Sequence, residues 1–391
     1  MLSHLLSLPT LRFAAARFSL LIVFSILISS PAQSAEVPYL YQAEITVADQ
    51  NLETRKRAIE TALQIVLLRV TGDTDIANKP GVATMLAQPE RYLTQFSYRQ
   101  PATNNSSNSN PERILIIDFQ RKAIEGRLTA NNIVIWPAER PRILVWLTKE
   151  VPVGREWVRF GDEATAYSQL ESAMKKRGLP FELPFLDLLD ERHLPLEMAG
   201  GLIIDSILSA SARYQADAVL AGRSYVNRKG ILHTEWVLIA DRTTKRYRTS
   251  SLPQDNPFDP VINHVADFFA AQYTPSQENG SAQASGQNRS GVSIKILSIK
   301  TVEQYAALMR YVEQLSGVKN VYPTHVTNEF TEFYIDTELK HQQFSNLLKL
   351  DKSLIPAPNQ SISAEKPNYS SGSRRSPRQR ATQFIWIPPH P

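Results

Sequence analysis

The segment FLDLLDERH at residues 185–193 carries the densest group of carboxylates in the chain. Asp187, Asp190 and Glu191 are residues that can divide the roles of general acid and general base, which is the chemistry of a hydrolase. A polar loop after an apolar segment, with Asp190 capping the helix that follows, accounts for the same residues without catalysis. The structural interpretation is preferred, and the three carboxylates are weak catalytic candidates.

Other local motifs for catalysis or metal binding are missing from the sequence. It contains no Gly-rich phosphate loop, no G-x-S-x-G elbow, no H-E-x-x-H pair and no acidic calcium loop. The histidines show no pair at ligand spacing; four of them could meet only through the fold, namely His193, His233, His264 and His325. The absence of cysteine excludes disulfides, thiolate nucleophiles and Cys-ligated metals. The sequence therefore predicts neither a metal nor a cofactor.

The basic character of the chain is confined to its ends. Four arginines lie in the segment SRRSPRQR (Arg374, Arg375, Arg378 and Arg380), and two more lie in the first 35 residues. Without these six, 37 basic residues face 38 acidic ones. Nucleic acid is therefore not an expected partner. The tail arginines could contact anionic lipid or a polyanionic polymer, or they could belong to a solvated linker.

An export signal is predicted over residues 1–35. Arg12 and Arg17 flank the apolar run FSLLIVFSILISS, and the small residues of PAQSA place cleavage after Ser34 or Ala35. The run is shorter than the ~20 residues that a membrane-spanning helix needs. With no cysteine for lipid attachment, the expected localisation is the periplasm of a Gram-negative bacterium.

Changes in composition divide the chain into segments. These are a signal peptide (1–35), an N-terminal α+β domain (36–136), a mixed α/β domain (137–275), a linker (276–290), a ferredoxin-like domain (291–355) and a disordered basic segment (356–391) with a possible final strand at 382–388. The predicted fold class is thus mixed α/β, built from two or three small layered domains.

Three stretches define the expected elements. Residues 52–71 carry an apolar stripe at helical spacing and end at Gly72, whereas IVIWP at 133–137 suggests a strand. The segment RYQADAVLAGR at 213–223 is typical of a helix that ends in a tight turn before a buried strand, and it separates Asp217 from Arg223. Residues 292–350 alternate as βαββα, and TQFIWIP could supply the last strand of a ferredoxin-like fold.

Four motifs, taken in order, resemble the exported bacterial family catalogued as domain of unknown function 2066. They are VADQNLETRKRAIETALQIVLLRVTGD, RPRILVWL, KKRGLPFELPFLDL and SARYQADAVLAGR. The leading helix also resembles periplasmic modules of flagellar assembly proteins. The joint at 213–223 resembles one in the N-terminal domain of the Tol–Pal propeller protein and one in curli secretion lipoproteins. These resemblances imply envelope assembly through protein–protein contacts, and they supply no reaction, cofactor or catalytic residue.

The function expected from these observations is a non-catalytic periplasmic binding or envelope-assembly module, with an envelope protein or complex as its partner. One alternative is an envelope hydrolase with a dispersed carboxylate site at Asp187 or Asp190. Another is a binder of anionic surfaces that works through the arginine-rich tail.

Overall fold

The computed structural model describes residues 37, 39–100, 113–161, 165–252, 255–274, 291–327, 329–350, 353–357 and 382–387. Within these ranges the chain forms three sheets that are covered by helices. The predicted fold class, a mixed α/β protein of small layered units, is confirmed. The expected signal peptide, the linker and most of the basic segment lie outside the described residues.

The N-terminal unit is an antiparallel sheet packed on one long helix. Its strands are β1 (Gln42–Val47), β2 (Leu93–Arg99) and β3 (Arg113–Phe119), in the order β1-β3-β2. Its helices are α1 (Leu52–Thr71), α2 (Val82–Leu86) and α3 (Arg121–Ala130). The stripe of α1 is buried as predicted, and Gly72 ends the helix at a φ of 71°, where a β-carbon would be strained.

The second unit is a mixed sheet with helices on both faces. Its strands are β4 (Ile143–Val151), β5 (Gly154–Trp157), β6 (Phe181–Glu182), β7 (Ala218–Val226), β8 (Leu232–Ala240) and β9 (Thr243–Ser251). β4 and β7 are parallel, whereas β7, β8 and β9 form an antiparallel meander. One face carries α4 (Thr165–Arg177) and α8 (Asp259–Tyr273). The other face carries α5 (Leu188–His193), α6 (Leu196–Gly200) and α7 (Ile204–Ser211).

Central strands of this sheet are apolar on both faces because both are covered. All of Ile143–Thr148 in β4 is buried, as is all of Ala218–Gly222 in β7. Gly222 lets the ring of Trp236 on β8 lie directly over the strand, since a β-carbon at residue 222 would stand 2.2 Å from that ring. The stretch 213–223 therefore connects a helix end to a packed strand.

The third unit contains β10 (Gly291–Leu297), α9 (Val302–Gln314), β11 (Val318–Val326), β12 (Phe330–Thr337) and α10 (His341–Leu350). These form the predicted βαββα arrangement, and β10 pairs antiparallel with β12. Two further strands follow, β13 (Leu354–Pro356) and β14 (Thr382–Trp386). The sheet order is β11-β12-β10-β14-β13.

The predicted late strand is present as β14, but its direction differs from that of a ferredoxin-like fourth strand. β14 runs parallel to β10, and β13 runs antiparallel to β14 at the sheet edge. The βαββα unit is therefore extended by two strands.

The first two units meet around Arg177, the last residue of α4. Its side chain is buried; Nη2 donates to the carbonyl oxygen of Gly72 at 2.9 Å and to Asp267 Oδ1 at 2.7 Å, and Nη1 donates to Asn263 Oδ1 at 3.1 Å. Burial lowers the pKa of Arg177, whereas Asp267 opposes that shift. One guanidinium thus joins the end of α1 to helix α8.

The predicted strand IVIWP is wrong. The described residues show no ladder there; instead the backbone N–H of Trp136 donates to the carbonyl of Val70 at 2.8 Å, at the end of α1. The Arg140 guanidinium stacks on the ring of Trp136, 3.3 Å from its centroid. Apolar character at 133–137 therefore serves packing between the first and second units. Among the described helices, none is both long and apolar enough to cross a membrane.

Candidate functional site

A groove of about 820 Å³ opens where α4 faces the segment 179–186. Its walls also include Val37 and Tyr39 from the start of the described chain, and Tyr214 from the joint before β7. The groove thus lies between the first two units and along one edge of the second sheet.

Aromatic side chains dominate the groove. They are Tyr39, Phe160, Tyr167, Phe181, Phe185 and Tyr214. Phe160 is 81% exposed and Phe185 is 76% exposed, although phenylalanine is among the residues most often buried. Phe160 meets the ring of Tyr167 edge-on at 5.4 Å, and Phe185 contacts Tyr214 at 5.6 Å. The exposed rings are therefore held in place by neighbours at two positions along the groove.

The segment 179–186 forms a stiff wall for the groove. Pro180 and Pro184 restrict its backbone, and between them β6 pairs with the first residues of β4. Within the described residues β6 has no strand on its other side, so it forms a free sheet edge. Leu186 closes the segment at a φ of 53°, a left-handed conformation that is costly for leucine.

The acidic group holds this strained turn in place. Asp187 is the N-cap of α5, and its carboxylate accepts from the N–H groups of Leu189 at 3.1 Å and of Asp190 at 3.0 Å. It also pairs with Arg213 Nη1 at 2.7 Å. The hydrogen bond from Arg213, with the two backbone donors, lowers the pKa of Asp187 to about 2. The expectation that Asp190 caps this helix is wrong, because the cap lies three residues earlier.

Asp190 is buried and surrounded by donors. Its Oδ2 accepts from the backbone N–H of Leu186 at 2.9 Å and from the Tyr214 hydroxyl, and its Oδ1 lies 3.3 Å from Arg213 Nη1. Burial and the hydrogen bond to Asp190 raise the pKa of Tyr214 above its usual value. The same hydroxyl accepts from the N–H of Phe185 at 2.9 Å. Asp190 and Tyr214 thus fix the turn that presents Phe185.

Glu191 lies apart from the other two carboxylates. It lines a second cavity of about 780 Å³, together with Lys149, Arg155 and Arg159. Asp187 and Asp190 share Arg213, whereas Glu191 faces this other space. The catalytic role of the three residues stays a prediction, and the partners of Asp187 and Asp190 give those two residues a role in holding the turn.

The remaining candidates lie in separate places or outside the described chain. Asp217 bonds to the backbone N–H of Arg142 at 2.8 Å, while Arg223 pairs with Glu235 on β8 at 2.8 Å. The four histidines have different neighbours: Ser209 for His193, Tyr225 for His233, Tyr247 for His264 and Phe330 for His325. No group of three or more possible ligands that could hold a metal occurs among the described residues. The tail arginines Arg374, Arg375, Arg378 and Arg380 lie outside them.

The sequence pattern did not reveal Phe160, Tyr167 and Phe185 as a surface. The only available signal was the repeated Leu-Pro-Phe of residues 179–181 and 183–185, which places two prolines and two rings in one short segment.

The charged side chains that line the groove balance one another: two are basic, Arg159 and Lys175, and two are acidic, Glu171 and Glu182.

The fold and this groove define a layered α/β protein with an aromatic groove at a sheet edge. Comparison with family models matches residues 34–137 to a domain of unknown function (DUF8605). The expected resemblance to domain of unknown function 2066 is wrong, because the matching model describes a different family. The match covers the N-terminal unit and leaves the groove-bearing unit unassigned. No curated protein matches the chain.

Proposed function

We propose that this chain is exported to the periplasm of a Gram-negative bacterium, where it acts without catalysis as a binding module. Its groove holds an extended, apolar peptide segment of an envelope protein. The predicted signal at residues 1–35 supports export, and the absence of cysteine argues against a lipid anchor.

One observation carries the choice of ligand: the exposed rings of Phe160 and Phe185 line the same groove as β6, which is a free sheet edge within the described residues. A free strand edge offers backbone donors and acceptors that an extended peptide can pair with, and adjacent apolar pockets then select its side chains. The rings are positioned before any ligand arrives, which lowers the entropic cost of binding.

The balance of charged side chains in the groove favours a peptide ligand over a polyanionic one. Arg159 and Lys175 face Glu171 and Glu182 in the groove, so its walls lack the single-sign field that attracts phosphate polymers. A largely apolar segment avoids the desolvation that a charged ligand would suffer beside these rings.

The test places a photo-reactive phenylalanine analogue at residue 185 in living cells. The matched control carries it at residue 153, where Val153 is 94% exposed in the turn between β4 and β5. The crosslinked segment of the partner is sequenced, synthesised and titrated against the purified chain. We expect an extended apolar segment whose affinity falls at least tenfold in Phe160→Ser/Phe185→Ser and is unchanged in Val153→Ser. Equal crosslinking from both positions, or equal affinity of all three proteins, would contradict the proposal.

A further inference from the structure

A second feature, in the third unit, concerns how β14 fits into its sheet. β14 lies between β10 and β13, with Ile294 opposite Thr382 on one side and Leu354 opposite Trp386 on the other. Two backbone hydrogen bonds continue the β13 ladder: Ala357 N–H to the Gln383 carbonyl and Ile387 N–H to the Ser353 carbonyl, both at 2.9 Å. β14 is thus hydrogen-bonded along both edges.

The strand beside β14 is β13, and it runs in the direction that a ferredoxin-like sheet has for the strand next to β10. β13 is antiparallel to β14, and β14 is parallel to β10, so β13 is antiparallel to β10. In a ferredoxin-like sheet the strand that follows the second helix lies beside the first strand in this antiparallel sense. β13 follows α10 directly, and it could pair with β10 if β14 were absent. The same chain can therefore close this sheet with or without β14.

β14 buries two aromatic side chains but leaves one buried donor without a hydrogen bond. Phe384 and Trp386 are buried, and the Trp386 ring lies 5.3 Å from that of Tyr311. The indole N–H of Trp386 is buried and has no hydrogen-bond partner among the described residues. A buried donor without a partner is a direct cost. A strand that fills the same two pockets without that donor would bind better.

We propose that the position of β14 is a strand-exchange site, at which an extended segment of another protein replaces β14 beside β10. That segment runs parallel to β10 and carries large apolar side chains two positions apart, as Phe384 and Trp386 are. Its intervening residues face the half-buried outer surface, where Gln383 and Ile385 now lie, and are less restricted. β14 is then an internal competitor that keeps the site closed until a better strand arrives.

The separation of β13 and β14 in the sequence makes the exchange local. β13 ends at Pro356 and β14 begins at Thr382, so β14 can leave while β10, β11 and β12 keep their pairing with one another and Tyr311 on α9 gives up its contact with Trp386. Because β14 belongs to the same chain, an external strand competes against a high effective concentration. The site therefore responds to a tighter-binding segment and excludes weak ones.

The experiment uses the full chain and a labelled peptide of sequence TQFIWIP, which is that of β14 and its following residues. The chain contains no cysteine, so Ile355→Cys/Ile385→Cys introduces a single reversible lock between residues that face each other on β13 and β14. Peptide binding is followed by fluorescence anisotropy. Because the peptide must compete with β14 in the same chain, we expect the reduced variant to bind it at about millimolar concentration and the oxidised variant to bind it at least tenfold more weakly. A control peptide, TQSISIP, should not bind.

Trp386→Ala gives an independent measurement, since it weakens β14 without touching β10. We expect it to bind TQFIWIP at least tenfold more tightly than the original chain, with the far-ultraviolet circular dichroism unchanged. Equal binding by the oxidised and reduced forms, or no binding by either the reduced form or Trp386→Ala, would overturn the proposal. Dimers of the chain that form in the absence of peptide, and that the disulfide prevents, would also overturn it, because the exchanged strand would then come from a second copy.

Discussion

Replacement of Arg177 by alanine tests whether one guanidinium joins the N-terminal unit to the second unit. The side chain is 1% exposed and makes three hydrogen bonds, to the Gly72 carbonyl and to the side chains of Asn263 and Asp267. Arg177→Ala removes all three and leaves the Gly72 carbonyl without that donor.

The magnitude follows from these contacts. A hydrogen bond that involves a charged group contributes roughly 1.5–3 kcal/mol, and the loss of one partner of a fully buried ion pair costs roughly 3–5 kcal/mol. Asp267 is 49% exposed, so water solvates its carboxylate once Arg177 is gone. We therefore expect the free energy of unfolding to fall by about 3–4 kcal/mol, toward the lower end of that range.

Urea denaturation measures this change, followed by circular dichroism and by tryptophan fluorescence. Lys175→Ala on the same helix is the matched control, because its ion pair with Glu171 spans 3.1 Å at a half-exposed position. It should cost less than about 0.5 kcal/mol. If Arg177→Ala costs less than about 1 kcal/mol, the two units are joined by apolar packing and the reasoning about the guanidinium is refuted.

The remaining predictions concern single positions. Gly222→Ala should destabilise the second unit by about 1–3 kcal/mol in thermal unfolding, because the new β-carbon would stand 2.2 Å from Trp236. A β-carbon at residue 126, in helix α3, would have no other atom within 4 Å, so Gly126→Ala should raise the free energy of unfolding by about 0.5–1 kcal/mol. A lower stability of this variant would contradict the helix assignment. Asp187 has a lowered pKa of about 2, so its stabilisation is present above the unfolded pKa and is lost as pH falls from about 4 to 2. The stability difference between the original chain and Asp187→Asn should therefore shrink over that interval, and a constant difference would argue against the ion pair. Thr301→Ala removes the cap of α9 and should cost about 1 kcal/mol in urea unfolding, whereas Thr301→Ser should cost little.

The sequence predicted the elements whose formation depends on residues that are close together in the chain. The stripe of α1 and its stop at Gly72 follow from helical spacing and from the need for a left-handed residue. The βαββα part of the third unit likewise follows from alternating strands and from the cap at Thr301. These features depend on residues within a few positions of one another, so one sequence suffices to find them.

Features that depend on distant partners could not be found in this way. Residues 133–137 are as apolar as a strand, but the end of α1 takes the backbone N–H of Trp136. Arg177 looks like a solvated helix end until Gly72 and α8 surround it. The turn that exposes Phe185 is held by Tyr214 and Asp190, through the Phe185–Tyr214 and Asp190–Tyr214 contacts, which span 29 and 24 residues in sequence.

The placement of β14 has a consequence for how the chain folds as it is synthesised. β10 ends at Leu297 and β14 begins at Thr382, so β10 is synthesised long before β14. The edge of β10 that pairs with β14 therefore has no β14 to pair with during that time. A pairing between such distant segments forms slowly, and an open strand edge can recruit other chains during the delay. β13 emerges earlier and has the right direction to cover β10 until β14 arrives. The last step in building this sheet would then be the displacement of a temporary strand by a permanent one.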